Sequence, residues 1–230
     1  MKNLIKLLLW NKVSARLFLK IVLRIHSLSY KVSGKLAIIL NDGVHPKTHI
    51  IKYTDWFVEN IKENGVVLDV GCNTGMMSEV MSKKSAFVYG IEIELNLIKE
   101  ARVKRQKDNN EFICADATTY DYTKCRPIDC VTLSNVLEHI EHRVDFLKKI
   151  IKQITWKDEA NKNLLIRVPM IDREWIAVYK KELNLEYRLD STHFTEYTFE
   201  QFSKEMQQSG VFILHHHVVF GEIYAICKAK

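Results

Sequence analysis

Glycine and proline are scarce in this chain, and several common site motifs are missing. The 230 residues include 8 glycines and 3 prolines. None of the 5 cysteines forms a C-x-x-C pair. Neither a zinc site nor a disulfide framework is therefore expected, and reduced thiols favour a cytoplasmic location. Internal repeats and low-complexity tracts are also lacking. The length suits one large α/β domain plus an appendage.

Acidic residues are missing from the first 41 positions, which carry eight lysines and arginines. The other 189 positions therefore hold 26 of the 34 basic residues against all 28 acidic ones. The basic excess of the chain lies wholly in its N-terminal part. Because the remainder is slightly acidic, we expect no nucleic-acid partner.

The N-terminal part also lacks a long uncharged run. Between Leu4 and Leu28 no uncharged stretch exceeds Leu7–Asn11, which is too short for a membrane span of about 20 apolar residues. A basic stripe on a helix is predicted from residues that recur every four positions, namely Lys12, Arg16, Lys20 and Arg24. We expect residues 1–44 to form a basic amphipathic helical arm. Two interpretations of this arm remain. Residues 1–30 lie on an anionic membrane surface, at the inner face of the cell membrane, or the arm packs on the domain or on a second subunit.

A third glycine is missing from the loop that follows the apolar run Val66–Val70. Gly71 and Gly75 are four residues apart, so the G-x-G-x-x-G pattern of a dinucleotide site is absent, as is the Gly-Lys-Ser/Thr of a phosphate loop. Asp69 precedes the loop, and its carboxylate suits a cationic or amine-bearing ligand better than a pyrophosphate. The strand, loop and following helix would still present backbone N–H groups to a ligand.

Strand-like and helix-like segments alternate beyond residue 45. This pattern predicts an α/β fold with a doubly wound, mostly parallel seven-stranded sheet, which ends in a C-terminal antiparallel hairpin. A helix is expected over 46–61, ahead of the sheet. The predicted strands are 66–70, 86–91, 111–115, 128–134, 163–168, 211–218 and 222–228, and the predicted helices are 76–83, 95–107, 142–154 and 198–209.

The run from Asp69 to Gly75 resembles the first motif of class I S-adenosylmethionine (SAM)-dependent methyltransferases, with Asn73 where glycine is commoner. Asparagine tolerates a positive φ well enough to keep such a turn. The resemblance covers residues 45–230 and implies SAM as cofactor. It implies a SAM-binding loop made of Asp69, Gly71, Cys72, Asn73 and Gly75.

Three later segments follow the same family pattern. Glu92 ends the second strand 21 residues after Gly71 and can accept both ribose hydroxyls. By resemblance, the carboxylate of Asp116 would accept from the adenine amino group and Ala117 would offer backbone contacts. The segment from Asn135 to Ile140 contains a Leu-Glu-His signature of the family. In that segment Ser134 and Asn135 are expected at the methionine part of SAM, and His139 is a candidate catalytic residue.

The substrate is expected between the fifth strand and the helix at Thr198. This insertion is rich in polar and aromatic residues, namely Trp175, Tyr179, Glu186, Tyr187, Arg188, Asp190 and His193. His193 is the candidate general base, since transfer of a methyl group to a hydroxyl requires loss of its proton, and Asp190 could orient it. Thr198 and Gln201 form a capping box. His215–His217 alternate across a strand without a carboxylate nearby, so no metal site is expected.

The segments together predict a SAM-dependent methyltransferase domain over 45–230. The chain is similar to methyltransferases of bacterial surface-polysaccharide gene clusters, which suggests O-methylation of a sugar, a lipid-linked glycan or another small molecule. A non-catalytic SAM-binding subunit and, with less support, a nicotinamide-dependent oxidoreductase are the alternatives. The sequence leaves the oligomeric state open.

Overall fold

The computed structural model describes residues 11–230. Contacts divide the chain into two compact units, Met1–Lys52 and Tyr53–Lys230. The described part of the first unit holds helix α1 (Lys12–Leu40) and the short helix α2 (Lys47–Ile51). Helix α1 begins at Asn11, whose side chain accepts a hydrogen bond from the Val13 amide at 2.8 Å. Helix α1 thus runs through most of the predicted arm, 1–44, of which positions 1–10 lie outside the described residues.

The helix expected over 46–61 is wrong as a single element. Lys52 adopts a left-handed conformation with φ of 53°, which ends α2 and separates it from α3 (Tyr53–Asn60). A lysine at positive φ is uncommon, and no proline or glycine marks the break in the sequence.

The second unit continues with β1 (Val66–Val70), α4 (Met76–Ser82), β2 (Phe87–Glu92), α5 (Leu95–Arg105), β3 (Asn110–Cys114), β4 (Cys130–Ser134), α6 (Arg143–Gln153), β5 (Asn163–Pro169), α7 (Trp175–Glu182), α8 (Phe199–Gln208), β6 (Val211–Val219) and β7 (Glu222–Ala229). Short 3-10 turns occupy Tyr122–Lys124, Leu137–His139 and Ile171–Arg173. The side chain of Thr198 caps α8 by accepting from the Gln201 amide, which is the first half of the predicted capping box. The Gln201 side chain instead donates to Thr195 Oγ1 and Glu205 Oε1, so the second half is not formed. Helix α7 was not predicted and lies inside the insertion.

The seven strands form one sheet in the order β3-β2-β1-β4-β5-β7-β6. Strands β1 to β5 are parallel, whereas β7 pairs antiparallel with β5 and with β6. The doubly wound, mostly parallel sheet with its C-terminal hairpin is therefore confirmed. The strand order reverses between β1 and β4, and ligands of such sheets bind at the carboxyl ends of strands beside this point.

Both faces of the sheet are covered. Leu68 and Val70 of β1 belong to the larger apolar core, while Val67 belongs to a second core that includes Phe57 of α3 and Met81 of α4. Burial on both faces explains why β1 reads as an unbroken apolar run apart from Asp69. Within residues 11–230, no helix has the length and hydropathy needed to cross a membrane.

Candidate functional site

A cavity of about 1130 Å³ lies at the carboxyl ends of the strands, beside the point where the strand order reverses. Its lining contains most of the residues that the sequence analysis placed at SAM or in catalysis, namely Asp69, Gly71, Cys72, Asn73, Glu92, Asp116, Ala117, Ser134, Asn135 and His139. Gly75, Asp190 and His193 are not part of this lining.

The glycine loop between β1 and α4 turns through three left-handed residues. Gly71, Asn73 and Gly75 have φ of 70°, 52° and 79°. A Cβ on Gly71 would lie 2.6 Å from Val136 Cγ2, so the loop packs closely against the turn after β4. Asn73 adopts the positive φ expected of it. Gly75 is the N-cap of α4, which lies beneath the loop and accounts for its distance from the cavity wall.

Asp69 is fully buried at the base of the cavity. Its carboxylate accepts hydrogen bonds from Ser78 Oγ at 2.5 Å and from Thr132 Oγ1 at 2.8 Å. Burial raises the pKa of Asp69 to about 6, although both hydrogen bonds lower it. This carboxylate is therefore held where positive charge on a ligand would favour its ionised form.

Glu92 connects the glycine loop to the end of β2. One carboxylate oxygen accepts from the Asn73 amide at 3.0 Å, and the other accepts from the amides of Ile93 and Glu94 at 2.8 and 3.1 Å. These bonds fix the carboxylate at the cavity wall, where it can accept from ligand hydroxyls.

Asp116 follows β3 and keeps one oxygen free of protein donors. Its Oδ1 accepts from the amide and hydroxyl of Thr118 at 2.8 and 2.7 Å. The carbonyl of the adjacent Ala117 accepts from the hydroxyl of buried Tyr122 at 2.7 Å. The turn after β3 is thereby rigid, and Asp116 can present Oδ2 to a ligand amine.

Asn135 sits in a strained turn after β4, with φ of 56°. Its amide donates to the Arg167 carbonyl at 2.8 Å, while its side-chain Oδ1 is buried without a hydrogen-bond partner among the described residues. Such an acceptor suits a ligand donor, such as an ammonium group. Ser134 lies half-buried beside it in the cavity wall.

Arg167 lines the cavity and was not predicted. Its guanidinium lies 4.0 Å from the centroid of the Tyr53 ring, and its Nη1 is 3.8 Å from Glu222 Oε2. In the part of the chain that the structure describes, the buried Nε of Arg167 has no hydrogen-bond partner. Arg167 is the one charged residue of β5, whose other residues are mostly apolar. This could have marked it as a site residue in the sequence, because charged residues are rarely buried without a specific partner.

The structure brings His139 and His193 together, with ring centroids 4.6 Å apart. Burial and the charge of His193 lower the pKa of His139. His139 Nδ1 is 3.0 Å from Thr192 Oγ1, and that hydroxyl donates to Asp190 Oδ1 at 2.8 Å. Asp190 therefore acts on His139 through Thr192.

The structure corrects the prediction that Asp190 orients His193. His193 Nδ1 lies 3.2 Å from Glu196 Oε1, so the Glu196 carboxylate orients the ring instead of the Asp190 carboxylate. Glu196 is also paired with Arg173. Although burial raises its pKa, hydrogen bonds from His193 and Leu189 and the charge of Arg173 together hold the pKa of Glu196 below its usual value.

Glu138 was missed, although it lies within the Leu-Glu-His signature. It is fully buried, and neither of its carboxylate oxygens has a hydrogen-bond partner within residues 11–230. Burial raises its pKa to about 8. Its burial depends on tertiary packing, which the spacing of residues in the sequence does not reveal.

The insertion between β5 and α8 contributes less to the cavity than expected. Of its residues only Thr192 belongs to the lining, so Trp175, Tyr179 and Tyr187 do not roof the cavity as predicted. Trp175 begins α7 and is 71% exposed. The part of the insertion nearest the site is the turn that carries Thr192 and His193.

Comparisons with known proteins agree with this geometry. A family model described as a methyltransferase domain matches residues 47–216. The chain is 26% identical over 155 residues to the ubiquinone biosynthesis O-methyltransferase of Glaesserella parasuis, covering 63% of each chain. It is 24% identical over 196 residues to the mitochondrial enzyme of that name from Schizosaccharomyces pombe, covering 81% of this chain and 69% of the relative.

The fold is shared with solved methyltransferase structures. The magnesium protoporphyrin IX methyltransferase ChlM of Synechocystis PCC 6803, with bound SAH, superposes with a TM-score of 0.60 at 16% identity, over 80% of this chain and 83% of that one.

Three curated ubiquinone biosynthesis O-methyltransferases are matched over 28%, 63% and 47% of their lengths, so the chain spans less than two thirds of each.

Proposed function

Since the chain belongs to the class I SAM-dependent methyltransferase family, we propose that it transfers the methyl group of SAM to a hydroxyl oxygen of a small molecule, with a sugar or lipid-linked glycan as acceptor. The observation that carries this proposal is the single cavity wall shared by the glycine loop, Glu92, Asp116 and His139. A volume of about 1130 Å³ exceeds that of many single-ligand sites and leaves room for a donor and an acceptor.

SAM is the cofactor of this family, and the wall offers a group for each of its parts. The carboxylate of Glu92 suits the ribose hydroxyls, and the free oxygen of Asp116 suits the adenine amine. The unpartnered Oδ1 of Asn135 and the ionised form of Asp69 suit the ammonium end. In this arrangement the sulfonium lies near the carboxyl ends of β1 and β4, between the glycine loop and His139.

Oxygen is favoured as the acceptor atom by the histidine cluster and by the similarity to ubiquinone biosynthesis O-methyltransferases. In the transfer, a lone pair of the hydroxyl oxygen forms a bond to the methyl carbon while the carbon–sulfur electron pair returns to sulfur. The hydroxyl proton must leave, and the cluster of His139 and His193 assists its loss. Replacing His193 with alanine should lower turnover by about 10²–10⁴-fold while SAM affinity stays nearly unchanged.

Methyl transfer from labelled SAM to fractionated cell-envelope glycans, with a lipid extract tested in parallel, decides the acceptor. Label in the glycan fraction supports the proposal. Label only in lipids would favour an acceptor like that of the ubiquinone biosynthesis relatives. If the protein binds SAM but labels neither fraction, the non-catalytic SAM-binding role becomes the better assignment. The family match leaves no support for the nicotinamide alternative.

We further propose that the arm contacts an anionic membrane surface. On α1 a basic stripe of Lys12, Arg16, Lys20 and Arg24 runs beside exposed apolar side chains at helical spacing, namely Leu17, Ile21, Ile25, Leu28, Val32, Leu36 and Ile39. A helix of 29 residues extends about 43 Å, and adjacent basic and apolar stripes match the headgroup and acyl layers of a bilayer. This contact would hold the domain near a lipid-linked acceptor.

A further inference from the structure

Glu138, His139 and His193 form a cluster from two segments that are distant in the sequence. Their candidate ligand atoms all lie within 4.8 Å of one another. Glu138 and His139 belong to the 3-10 turn after β4, and His193 arrives from the insertion. The segments are tied together by a hydrogen bond from the Phe194 amide to the Glu138 carbonyl at 2.7 Å. Among residues 11–230 no second group of three such side chains is this close.

The carboxylate of Glu138 is the least explained polar group of the cluster. It is fully buried, and within residues 11–230 neither oxygen accepts a hydrogen bond from another residue. The charge of Arg167 favours its ionised form without donating a hydrogen bond to it. Buried carboxylates are normally paired or coordinate a metal ion, because an isolated one is costly. A cation held between Glu138 and the two imidazoles would bind one or both carboxylate oxygens and balance the negative charge.

The two imidazoles are held in matching orientations. Thr192 Oγ1 donates its hydrogen to Asp190, so His139 Nδ1–H donates to Thr192 Oγ1 at 3.0 Å. His193 Nδ1–H donates to Glu196 Oε1 at 3.2 Å. In both rings this leaves the lone pair on Nε2, which has no hydrogen-bond partner among the described residues. Metal-binding histidines commonly show this arrangement, with a carboxylate or another acceptor fixing the opposite nitrogen.

We propose that Glu138, His139 and His193 bind one divalent metal ion of the zinc type, through a carboxylate oxygen and two imidazole nitrogens. Two histidines and one glutamate form a ligand set typical of catalytic zinc, which keeps a further position open. Ligands at about 2.1 Å from a tetrahedral ion are about 3.4 Å apart, so small side-chain rotations complete the set. The site was not expected from the sequence, since Glu138 and His193 are 55 positions apart.

Of the three ligands, His139 lines the cavity, so an ion bound to it would be reached from the cavity through its open position. Resting on the proposed O-methylation, the ion would take the acceptor hydroxyl as its next ligand and lower the pKa of that hydroxyl, as it does for bound water. The proton passes to bulk water, the oxygen lone pair forms the bond to the methyl carbon, and the carbon–sulfur electron pair stays on sulfur. The products are the methyl ether and the neutral thioether.

The test is a titration of the chelator-stripped full chain with Co²⁺, followed by visible absorption and by displacement with Zn²⁺. One equivalent should bind and give the absorption of a low-symmetry nitrogen and oxygen site. Glu138→Gln and His193→Ala should each weaken binding by at least about 100-fold. Glu196→Gln removes the acceptor that orients His193 and also the charged partner of Arg173, and it should weaken binding by about 10–100-fold.

Neighbouring residues outside the cluster provide matched controls. Glu141→Gln and His142→Ala should leave metal affinity unchanged. Circular dichroism and SAM binding by each variant separate loss of a ligand from loss of the fold. If the Co²⁺ absorption survives in Glu138→Gln and His193→Ala but disappears in His217→Ala, the ion lies on β6 and the proposal is overturned. It is also overturned if the folded wild-type chain binds neither Co²⁺ nor Zn²⁺.

Activity then separates this proposal from the proposed function. Methyl transfer that continues undiminished in the metal-free chain would overturn the role of the ion and leave O-methylation standing. Tight metal binding through the three residues, without transfer to any acceptor fraction, would support the metal site and count against O-methylation. Transfer that is lost on chelation and restored by Zn²⁺ supports both.

Discussion

The Glu92 carboxylate accepts hydrogen bonds from three backbone amides and also lines the cavity. Replacing it with alanine should weaken SAM binding by about 1.5–3 kcal/mol, since charge-assisted hydrogen bonds to the ribose are lost. Calorimetric titration with SAM measures this loss. Glu63, which is exposed and outside the cavity lining, is the comparison: Glu63→Ala should change affinity by less than about 0.5 kcal/mol. Similar losses in the two variants would contradict the role given to Glu92.

Asp69 couples stability to SAM binding through its raised pKa. Because burial raises the folded pKa to about 6 from 3.8, the folded state binds more protons than the unfolded state between these values. Stability therefore falls as the pH rises through this window and is not recovered above it. Asp69→Asn should then raise the free energy of unfolding by roughly 1–3 kcal/mol at pH 7.5, with no gain below about pH 4.

Urea unfolding at the two pH values measures this effect, and the exposed carboxyl variant Asp108→Asn should show none. Asp69→Asn should also weaken SAM binding, because the ionised carboxylate is lost. In the wild-type chain, SAM affinity should fall as the pH drops through about 6. If Asp69→Asn binds SAM as tightly as the wild-type chain does, this carboxylate does not serve the ligand.

Residues that follow a strand in sequence could be predicted, whereas residues brought together by packing could not. Asp69, Glu92 and Asp116 each sit at or just beyond a readable apolar run, so topology places them at one edge of the sheet. Glu138 and Glu196 carry no such signal, because the burial of each side chain depends on tertiary packing. His193 was found as a candidate, but its orienting carboxylate was assigned to the wrong neighbour.

At the scale of elements, α6 and α8 are joined by a nearly buried ion pair. Arg143 donates to both carboxylate oxygens of Glu205 at 2.9 and 2.8 Å, and the Tyr197 hydroxyl donates to the same carboxylate at 3.0 Å. Arg143→Met keeps the apolar stem but leaves Glu205 without its counter-ion. It should lower the free energy of unfolding by about 2–4 kcal/mol in urea titrations.

A matched exposed pair and a double variant test this explanation. Lys104→Met removes the exposed bridge to Glu100 and should cost no more than about 0.5 kcal/mol. The double variant Arg143→Met/Glu205→Met should be more stable than Arg143→Met alone, because no unpaired charge remains. Equal losses for Arg143→Met and Lys104→Met would mean that the α6–α8 pair is solvated and contributes little.

Helices with clear start and stop signals were predicted, and helices without them were not. The Thr198 cap placed the start of α8 correctly. The break at Lys52 has no glycine or proline, and α7 has no side-chain cap at Glu174. Both features depend on backbone conformations that the local sequence barely favours. Periodicity alone therefore predicted one helix across the break at Lys52 and did not predict α7.

For the whole molecule, alternation of apolar runs and helical segments was enough to predict the sheet and its hairpin. Parallel strands buried on both faces leave long apolar runs that are easy to recognise. The boundary of the arm at residue 44 stays a prediction, as does its choice between a membrane surface and packing on protein. That choice depends on a partner, and neither sequence pattern nor a single chain specifies one.

The arm offers the prediction that separates these possibilities. Replacing Lys12, Arg16, Lys20 and Arg24 with glutamine should release the chain from anionic vesicles in sedimentation assays, since each base near the surface contributes about 1 kcal/mol. Salt should weaken wild-type binding in the same way, because exposed charges are screened. SAM affinity should not change, because every residue assigned to SAM lies beyond residue 65.

The control changes the net charge by the same amount elsewhere, through glutamine at four exposed lysines of the domain, namely Lys99, Lys124, Lys148 and Lys152. This variant should still bind anionic vesicles, since the apolar stripe and the basic stripe of α1 are intact. If the arm variant and the domain variant are released from the vesicles to the same extent, the overall charge of the chain drives the contact and the arm does not. If the arm variant stays on the vesicles but loses its native oligomeric state or its thermal stability, the basic stripe faces protein, and α1 is a packing element of the molecule.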